Sequence, residues 1–157
     1  MTQWLTADQQ GHWRAFLAAT MLLSDRLSRE LQAEHGLTLA DYEILVRLSE
    51  SEGRKLRMSH LAESTLSSRS RLSHQIDRME KAGLVVREPC ADDRRGANAV
   101  LTERGWDVLV AAAPTHVEGV REHLVDLLTD EQFAALGSAC TIVADHLRSP
   151  DCDAESA

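Results

Sequence analysis

Near the middle of the chain stands the run Ser68-Arg69-Ser70-Arg71-Leu72-Ser73-His74, followed within two turns by Arg78 and Lys81. Short hydroxyls, an imidazole and several guanidiniums are the side chains that hydrogen-bond base edges in a major groove and the phosphates beside it. Wound at ~100° per residue, the stretch places Leu72, Ile76 and Met79 on one face. The opposite arc carries Ser67, Ser70, His74, Arg78 and Lys81, with Arg71 and Ser73 on its flanks. The free backbone N–H groups at the start of such a helix suit a phosphate. An ordinary solvated helix surface has the same residue types. The SRSRLSH run and the hairpin directly after it favour the nucleic-acid reading.

A second charged cluster, Asp92-Asp93-Arg94-Arg95-Gly96, lies in that hairpin. An arginine on a protruding ribbon suits a narrow minor groove, where the negative potential is strongest. A carboxylate two residues earlier, Asp93, can hold the Arg95 guanidinium by a bidentate pair. The alternative is a charged loop that keeps a hairpin soluble.

These residues need elements to position them. Trp13, Phe16/Leu17, Met21, Leu27 and Leu31 recur at helical spacing and Gly36 ends that segment. Thr38, with Asp41 three residues on, caps a second helix through Tyr42, Leu45 and Val46 that stops near Gly53. Residues 55–58 form a brief extended piece, and His60 to Thr65 a short third helix. The fourth helix, from Ser68 to Ala82, takes Ser67 as its cap and Gly83 as its stop. Residues 84–88 and 99–101 read as strands, with a long polar turn over 89–98. Thr102 opens a fifth helix that Pro114 kinks, and Thr129-Asp-Glu-Gln132 is the capping box of a sixth. The acidic tail over 149–157 is expected to be disordered. Helix, helix, short helix, helix, hairpin, long helix, helix is the order of a winged helix-turn-helix: a mainly α fold of about six helices with a two-stranded β wing, in one domain over 1–157. The DNA-binding part is 38–104. The helices over 10–36 and 105–148 carry apolar stripes that so small a centre cannot cover, so they are expected to form the dimerisation region. A self-contained helical core is the alternative.

Composition bounds the reading. The formal charge is −8, but between Arg54 and Arg104 there are 11 Lys/Arg against 7 Asp/Glu, so the centre is basic between acidic ends. With a Debye length of ~8 Å, a surface feels its own charges more than distant ones. No apolar run is long enough to span a membrane and no signal peptide is evident, which places the chain in the cytoplasm. Three scattered cysteines make no disulfide framework. GxSxG, HExxH, P-loop and GxGxxG motifs are all absent, so no enzyme, cofactor or metal is expected. Cys90 has no feature that lowers its pKa, and His116 and His123 stand two turns apart, too far for one ion.

LAESTLSSRSRLSHQIDRMEKAGLVVRE followed by DDRRGANAVLTERG resembles the DNA-binding core of the multiple-antibiotic-resistance regulator (MarR) family. The likeness covers about residues 10–148, including the number and length of the flanking helices. It implies a homodimer that binds a pseudo-palindromic operator in double-stranded DNA and acts as a transcription regulator, in the main a repressor. Among Ser68, Arg69, Ser70, Arg71, Ser73, His74 and Arg78 it puts Ser73 and His74 at base-contacting positions, and it gives Arg95, beside Arg94, the minor-groove role. His74 stands where some relatives carry Arg, which leaves the preferred sequence open. The resemblance further implies release of DNA by a small aromatic or lipophilic effector. Trp13, Phe16, Leu17 and Tyr42 are candidates to line its pocket, with His12, Arg14 or Arg47 as polar anchor; plain core is the alternative. Against the whole reading stands a winged-helix protein-interaction module with little DNA affinity, which the net negative charge favours.

Overall fold

The computed structural model describes residues 1–90 and 93–148, with the backbone alone described at 93–95. The chain divides into two compact units, Met1–Gly119 and Val120–Ala157.

In the first unit, α1 (Ala7–His35) starts at a Thr6/Gln9 capping box and ends at Gly36, whose φ of 68° is left-handed. The Thr38/Asp41 capping box opens α2 (Leu39–Glu50) where the sequence predicts it. The second helix stops short of Gly53, because a 3₁₀ turn over Glu52–Arg54 intervenes, with Gly53 and Arg54 both at positive φ. Then come β1 (Lys55–Arg57), α3 (Met58–Ser64), α4 (Arg69–Lys81), β2 (Val85–Cys90), β3 (Asp93–Leu101) and α5 (Glu103–His123).

The sheet differs from the expected two-stranded wing. The extended piece Lys55–Arg57 pairs with β3, so the order is β1-β3-β2, all antiparallel. The predicted polar turn over 89–98 also shrinks, since the ladder continues through Glu88↔Asn98 and Pro89↔Ala97 before slipping register at Cys90. Pro89 is tolerated because β2 is an edge strand, where a missing N–H breaks no inner ladder.

Helix α2 is the centre of the core. Its Ile44, Leu45 and Leu48 are fully buried together with Leu31 of α1, Leu61 of α3, Leu72 and Ile76 of α4 and Val85 of β2. At about 1.5–3 kcal/mol for each large aliphatic side chain removed from water, these residues dominate the stability of the unit. Thr102 joins the sheet to α5: its hydroxyl donates to the Gly83 carbonyl at 2.7 Å and its oxygen accepts from the Gly105 N–H at 2.9 Å. The fifth helix runs through Pro114 and ends at His123, short of the leucines at 124–128.

The second unit contains the end of α5, a 3₁₀ turn over Val125–Leu127 and α6 (Asp130–Arg148). The predicted capping box is present, with the Thr129 N–H donating to Gln132 Oε1 at 3.0 Å and the Gln132 N–H to Thr129 Oγ1 at 3.3 Å. No residue of α6 is buried. The tail expected beyond Arg148 lies outside the described residues. Among the described residues, no helix is long and apolar enough to cross a membrane.

Candidate nucleic-acid interface

Helices α3 and α4 are joined by a four-residue turn, Thr65 to Ser68. The Thr65 hydroxyl closes α3 by donating to Leu61 O at 2.8 Å, Leu66 takes a left-handed φ of 51°, and the Ser67 N–H returns to Ala62 O at 2.9 Å. The cap of α4 is the residue after Ser67. Ser68, not Ser67, has the extended backbone of an N-cap, and its hydroxyl accepts from the Arg71 N–H at 3.2 Å.

Leu72, Ile76 and Met79 of α4 are buried, as the helical spacing predicts. The outer face presents Ser68, Arg69, Ser70, Arg71, His74, Arg78 and Lys81 to solvent, while Ser73 is half-buried on the flank towards β2. His74 Nδ1 lies 4.0 Å from Asp77 Oδ2. Asp93, Arg94 and Arg95 fall in β3, but their side chains lie outside what is described, so the predicted Asp93–Arg95 pair does too.

Two residues to which the sequence reading gave no part in this interface, Arg87 and the α2 capping residue Asp41, hold α4 in place. Arg87 of β2 reaches α4 with both ends of its guanidinium. Nη1 pairs with Asp77 at 2.7 Å and with Glu80, Nη2 donates to Ser73 O at 3.0 Å and Ser73 Oγ at 3.2 Å, and the Arg87 N–H donates to Glu80 Oε1 at 2.8 Å. From the α2 side, Asp41 Oδ1 accepts from Gln75 Nε2 at 3.0 Å and Arg78 Nη2 at 3.3 Å. A signal for Arg87 existed. It alternates inward with Val85, opposite a helix whose Asp77 and Glu80 stand three apart, on neighbouring turns. Between α4 and the sheet a concavity of about 570 Å³ opens, lined by Arg57, Arg69, Ser73, Arg87 and the strand residues Gly96 and Ala97.

Four of the five candidate effector residues line two hollows. Trp13 stacks on Phe16 with ring centroids 6.1 Å apart, and Trp13 and Leu17 line a hollow with Arg14 and Trp4. Tyr42 and Arg47 instead line a cavity of about 360 Å³ with Glu43, Val46, Glu50 and His116. There the Tyr42 and His116 rings are 4.5 Å apart, and burial pushes the Tyr42 hydroxyl's pKa up. Burial also lowers the imidazole's pKa, with Glu43 partly opposing. Arg47 Nε and His116 Nδ1 are buried without a hydrogen-bond partner. His116 is half-buried. Its spacing from buried Leu109, Ala112 and Gly119 puts it on the inner face of α5, a signal already present in the sequence.

Among the described residues no group of His, Cys, Asp and Glu is placed to hold a metal ion. Cys90 Sγ lies 3.3 Å from Asn98 Oδ1 within the wing, and Cys140 is exposed on α6.

A family model described as MarR family matches residues 35–96. The crystal structure of AbsC, a MarR family transcriptional regulator from Streptomyces coelicolor, is similar at 53% identity, with a TM-score of 0.88 over 94% of this chain and 99% of that one. Sco3205, a MarR family regulator from the same organism solved in complex with DNA, is 45% identical, with a TM-score of 0.93 over 96% of this chain and 94% of that one. The transcriptional regulator HosA of Escherichia coli is 30% identical over 119 residues, 76% of this chain and 87% of that protein. The winged-helix order of elements, the α4 face and these likenesses converge: the chain belongs to the MarR family and is a transcriptional regulator rather than an enzyme.

Proposed function

We propose that the protein binds a pseudo-palindromic operator in double-stranded DNA as a homodimer, laying α4 in the major groove and the β2–β3 wing along the minor groove, and that it represses transcription until a small ligand releases it. The observation that carries this reading is the division of α4: one face supplies Leu72, Ile76 and Met79 to the core, while the other offers Ser70, Arg71, His74 and Arg78 to solvent. A helix fixed on one side and furnished with groove-reading groups on the other is what direct readout requires. Sco3205, the similar regulator solved in complex with DNA, supports the DNA-binding part of this reading.

The homodimer reading rests on uncovered apolar surface. On α1, Trp13, Phe16, Met21 and Leu22 are exposed, and on α6 Ile142, Val143 and Leu147 are more than half exposed. Such stripes in a folded chain call for a partner surface. The ligand reading rests on the cavity between α2 and α5, where two buried nitrogens without partners, Arg47 Nε and His116 Nδ1, face space that a small acidic or carbonyl-bearing aromatic molecule would fill. Release follows if that ligand favours a dimer whose recognition helices no longer match the ~34 Å spacing of successive major grooves.

The test is selection of the purified protein on random duplex DNA, with the enriched site retested across salt. A two-fold-symmetric site whose affinity falls steeply with salt is expected. Arg95→Ala is expected to weaken binding, and Arg78→Ala to weaken it with little change in sequence preference. A folded dimer with neither a preferred site nor salt-dependent binding overturns the reading in favour of a protein-interaction module.

A further inference from the structure

We propose that the concavity between α4 and the sheet is a seat for one backbone phosphate of the operator, held by Arg57 of β1, Ser59 of α3 and Arg69 of α4. The seat presupposes the placement given above, with α4 in the major groove and the wing along the minor groove.

Adjacent major and minor grooves are separated by a single sugar–phosphate strand. A protein that lays a helix in one groove and a hairpin along the next must straddle that strand. Whatever lies between the two elements then meets its phosphates. Here the concavity of about 570 Å³ lies between them.

Its lining suits an anion. The described residues around it include three arginines and no carboxylate. Arg87 is the one whose charge is spent, because Asp77, Glu80 and Ser73 occupy its guanidinium. Arg69, the first residue of α4, is exposed, and its side chain has no partner among the described residues. Arg57 already interacts within the chain, and the five N–H donors of a guanidinium admit a phosphate beside that partner. Ser59 brings a half-buried hydroxyl, a common phosphate donor. On the wing side stand Gly96 and Ala97, too small to fill the opening.

The third strand gains a use from this arrangement. Pairing of Arg57 with Asn98 carries a cation from β1 to the wing, and the turn from Thr65 to Ser68 brings Arg69 back to the α4 side. A phosphate contact carries no base identity; it fixes register. The seat therefore sets how far the α4 contacts stand from the wing contacts along the duplex.

Neutralising the enriched site one phosphate at a time with methylphosphonate, and binding it to the full-length protein, tests the seat. The proteins compared are the wild type, Arg57→Gln, Arg69→Gln, Arg57→Lys and Arg104→Gln, the last a control at a cation beside Gly83 and outside the concavity. In the wild type, one linkage per half-site between the two grooves is expected to weaken binding about tenfold when neutralised, the scale of one charge-assisted contact. In Arg57→Gln and Arg69→Gln the effect of that linkage is expected to fall to about threefold or less, while the other linkages keep theirs. Each Gln variant is also expected to lower the slope of log affinity against log salt by about 1 per half-site, with base preferences unchanged. Arg57→Lys keeps the charge and is expected to keep the slope, and Arg104→Gln to change neither quantity. The wild-type scan alters only the DNA, so it does not depend on how well a variant folds. A wild type indifferent to every linkage between the grooves overturns the seat and leaves the DNA-binding reading intact. So does a linkage whose sensitivity survives in either Gln variant, or a Gln variant with altered base preference. A wild type that enriches no site overturns both.

Discussion

Asp41 and Arg78, 37 residues apart in sequence, meet at 3.3 Å where the first turn of α2 faces the last turns of α4. The same carboxylate serves three partners. Oδ2 accepts from the Thr38 N–H at 3.2 Å to complete the α2 capping box, and Oδ1 accepts from both Gln75 and Arg78. The start of the central core helix and the orientation of the recognition helix thus share one buried anion.

Removing that anion has a calculable cost. The Asp41–Arg78 ion pair contributes little, because the Arg78 side chain is 64% exposed and surface pairs are worth about 0–1 kcal/mol. Thr38 keeps its own cap hydrogen bond, but its N–H loses the Asp41 acceptor, which costs about 1 kcal/mol, and the part-buried Gln75 amide left without its acceptor adds about 1 kcal/mol. Asp41→Ala is therefore expected to lose about 2 kcal/mol in urea unfolding with an unchanged slope. Asp41→Asn, which keeps one carbonyl acceptor, is expected to lose about half of that.

Stability should also respond to pH through His116. Burial holds its folded-state pKa below the ordinary imidazole value, with Glu43 partly opposing. Between the two values the unfolded chain binds the proton more readily, so stability falls as pH drops through about 6.5. The penalty is fully developed once pH lies below the folded value, and above about pH 7 the group contributes no slope. Urea unfolding from about pH 5 to pH 8 is expected to show this decline in the wild type and a shallower one in His116→Asn. Glu43→Gln is expected to steepen it. Equal slopes in wild type and His116→Asn would mean that the imidazole stays solvated.

These effects mark how far the sequence could be read. Elements with an apolar period and a capping pair were legible: Thr38/Asp41, Thr129/Gln132 and the Leu72/Ile76/Met79 face stand where the spacing puts them. Exact boundaries were not. Ser67 and Ser68 are the same residue type side by side, and it is the Ser68 hydroxyl that accepts from the Arg71 N–H and caps α4. The extended piece at Lys55–Arg57 gives no sign of its partner, since antiparallel pairing with Val100, Ala99 and Asn98 is a long-range choice. Asp41 was readable as a cap but not as a tether, because its second role depends on a helix 34 and more residues downstream.

Two glycines in helices should respond in opposite directions. A Cβ on Gly105 would sit 2.1 Å from the Leu84 carbonyl oxygen and 2.7 Å from Leu101 Cδ1. The first is backbone at the junction that Thr102 ties, and it cannot yield by a rotamer change. Gly105→Ala is expected to destabilise by about 3 kcal/mol or more, the upper end of overpacking. Gly11 in α1 has nothing within 4 Å of the same ideal Cβ. Gly11→Ala is expected to gain about 0.5–1 kcal/mol from helix propensity. Thermal unfolding of both variants at one protein concentration checks the signs, and stabilisation by Gly105→Ala would refute the close approach of α5 to the 83–84 turn.

Leu66 stores strain in the helix-turn-helix itself. Its φ of 51° is left-handed, and its side chain is 90% exposed, so no burial offsets the backbone cost. For a residue with a Cβ that conformation costs about 1–2 kcal/mol. Asparagine tolerates it, and Leu66→Asn is expected to raise stability by about 1 kcal/mol, roughly 2–4 °C in Tm for a chain of this size. Leu66→Gly removes the same strain but frees the unfolded chain, so it is expected to gain less. Leu66→Val, branched next to the strained φ, is expected to lose stability. The order Asn, Gly, Leu, Val in a thermal melt would establish backbone strain as the cause. If Leu66→Asn instead lowers Tm in the free protein, the leucine makes a contact in solution that its exposure conceals. If Tm rises while operator affinity falls, the side chain is retained for what it touches on DNA and not for the fold.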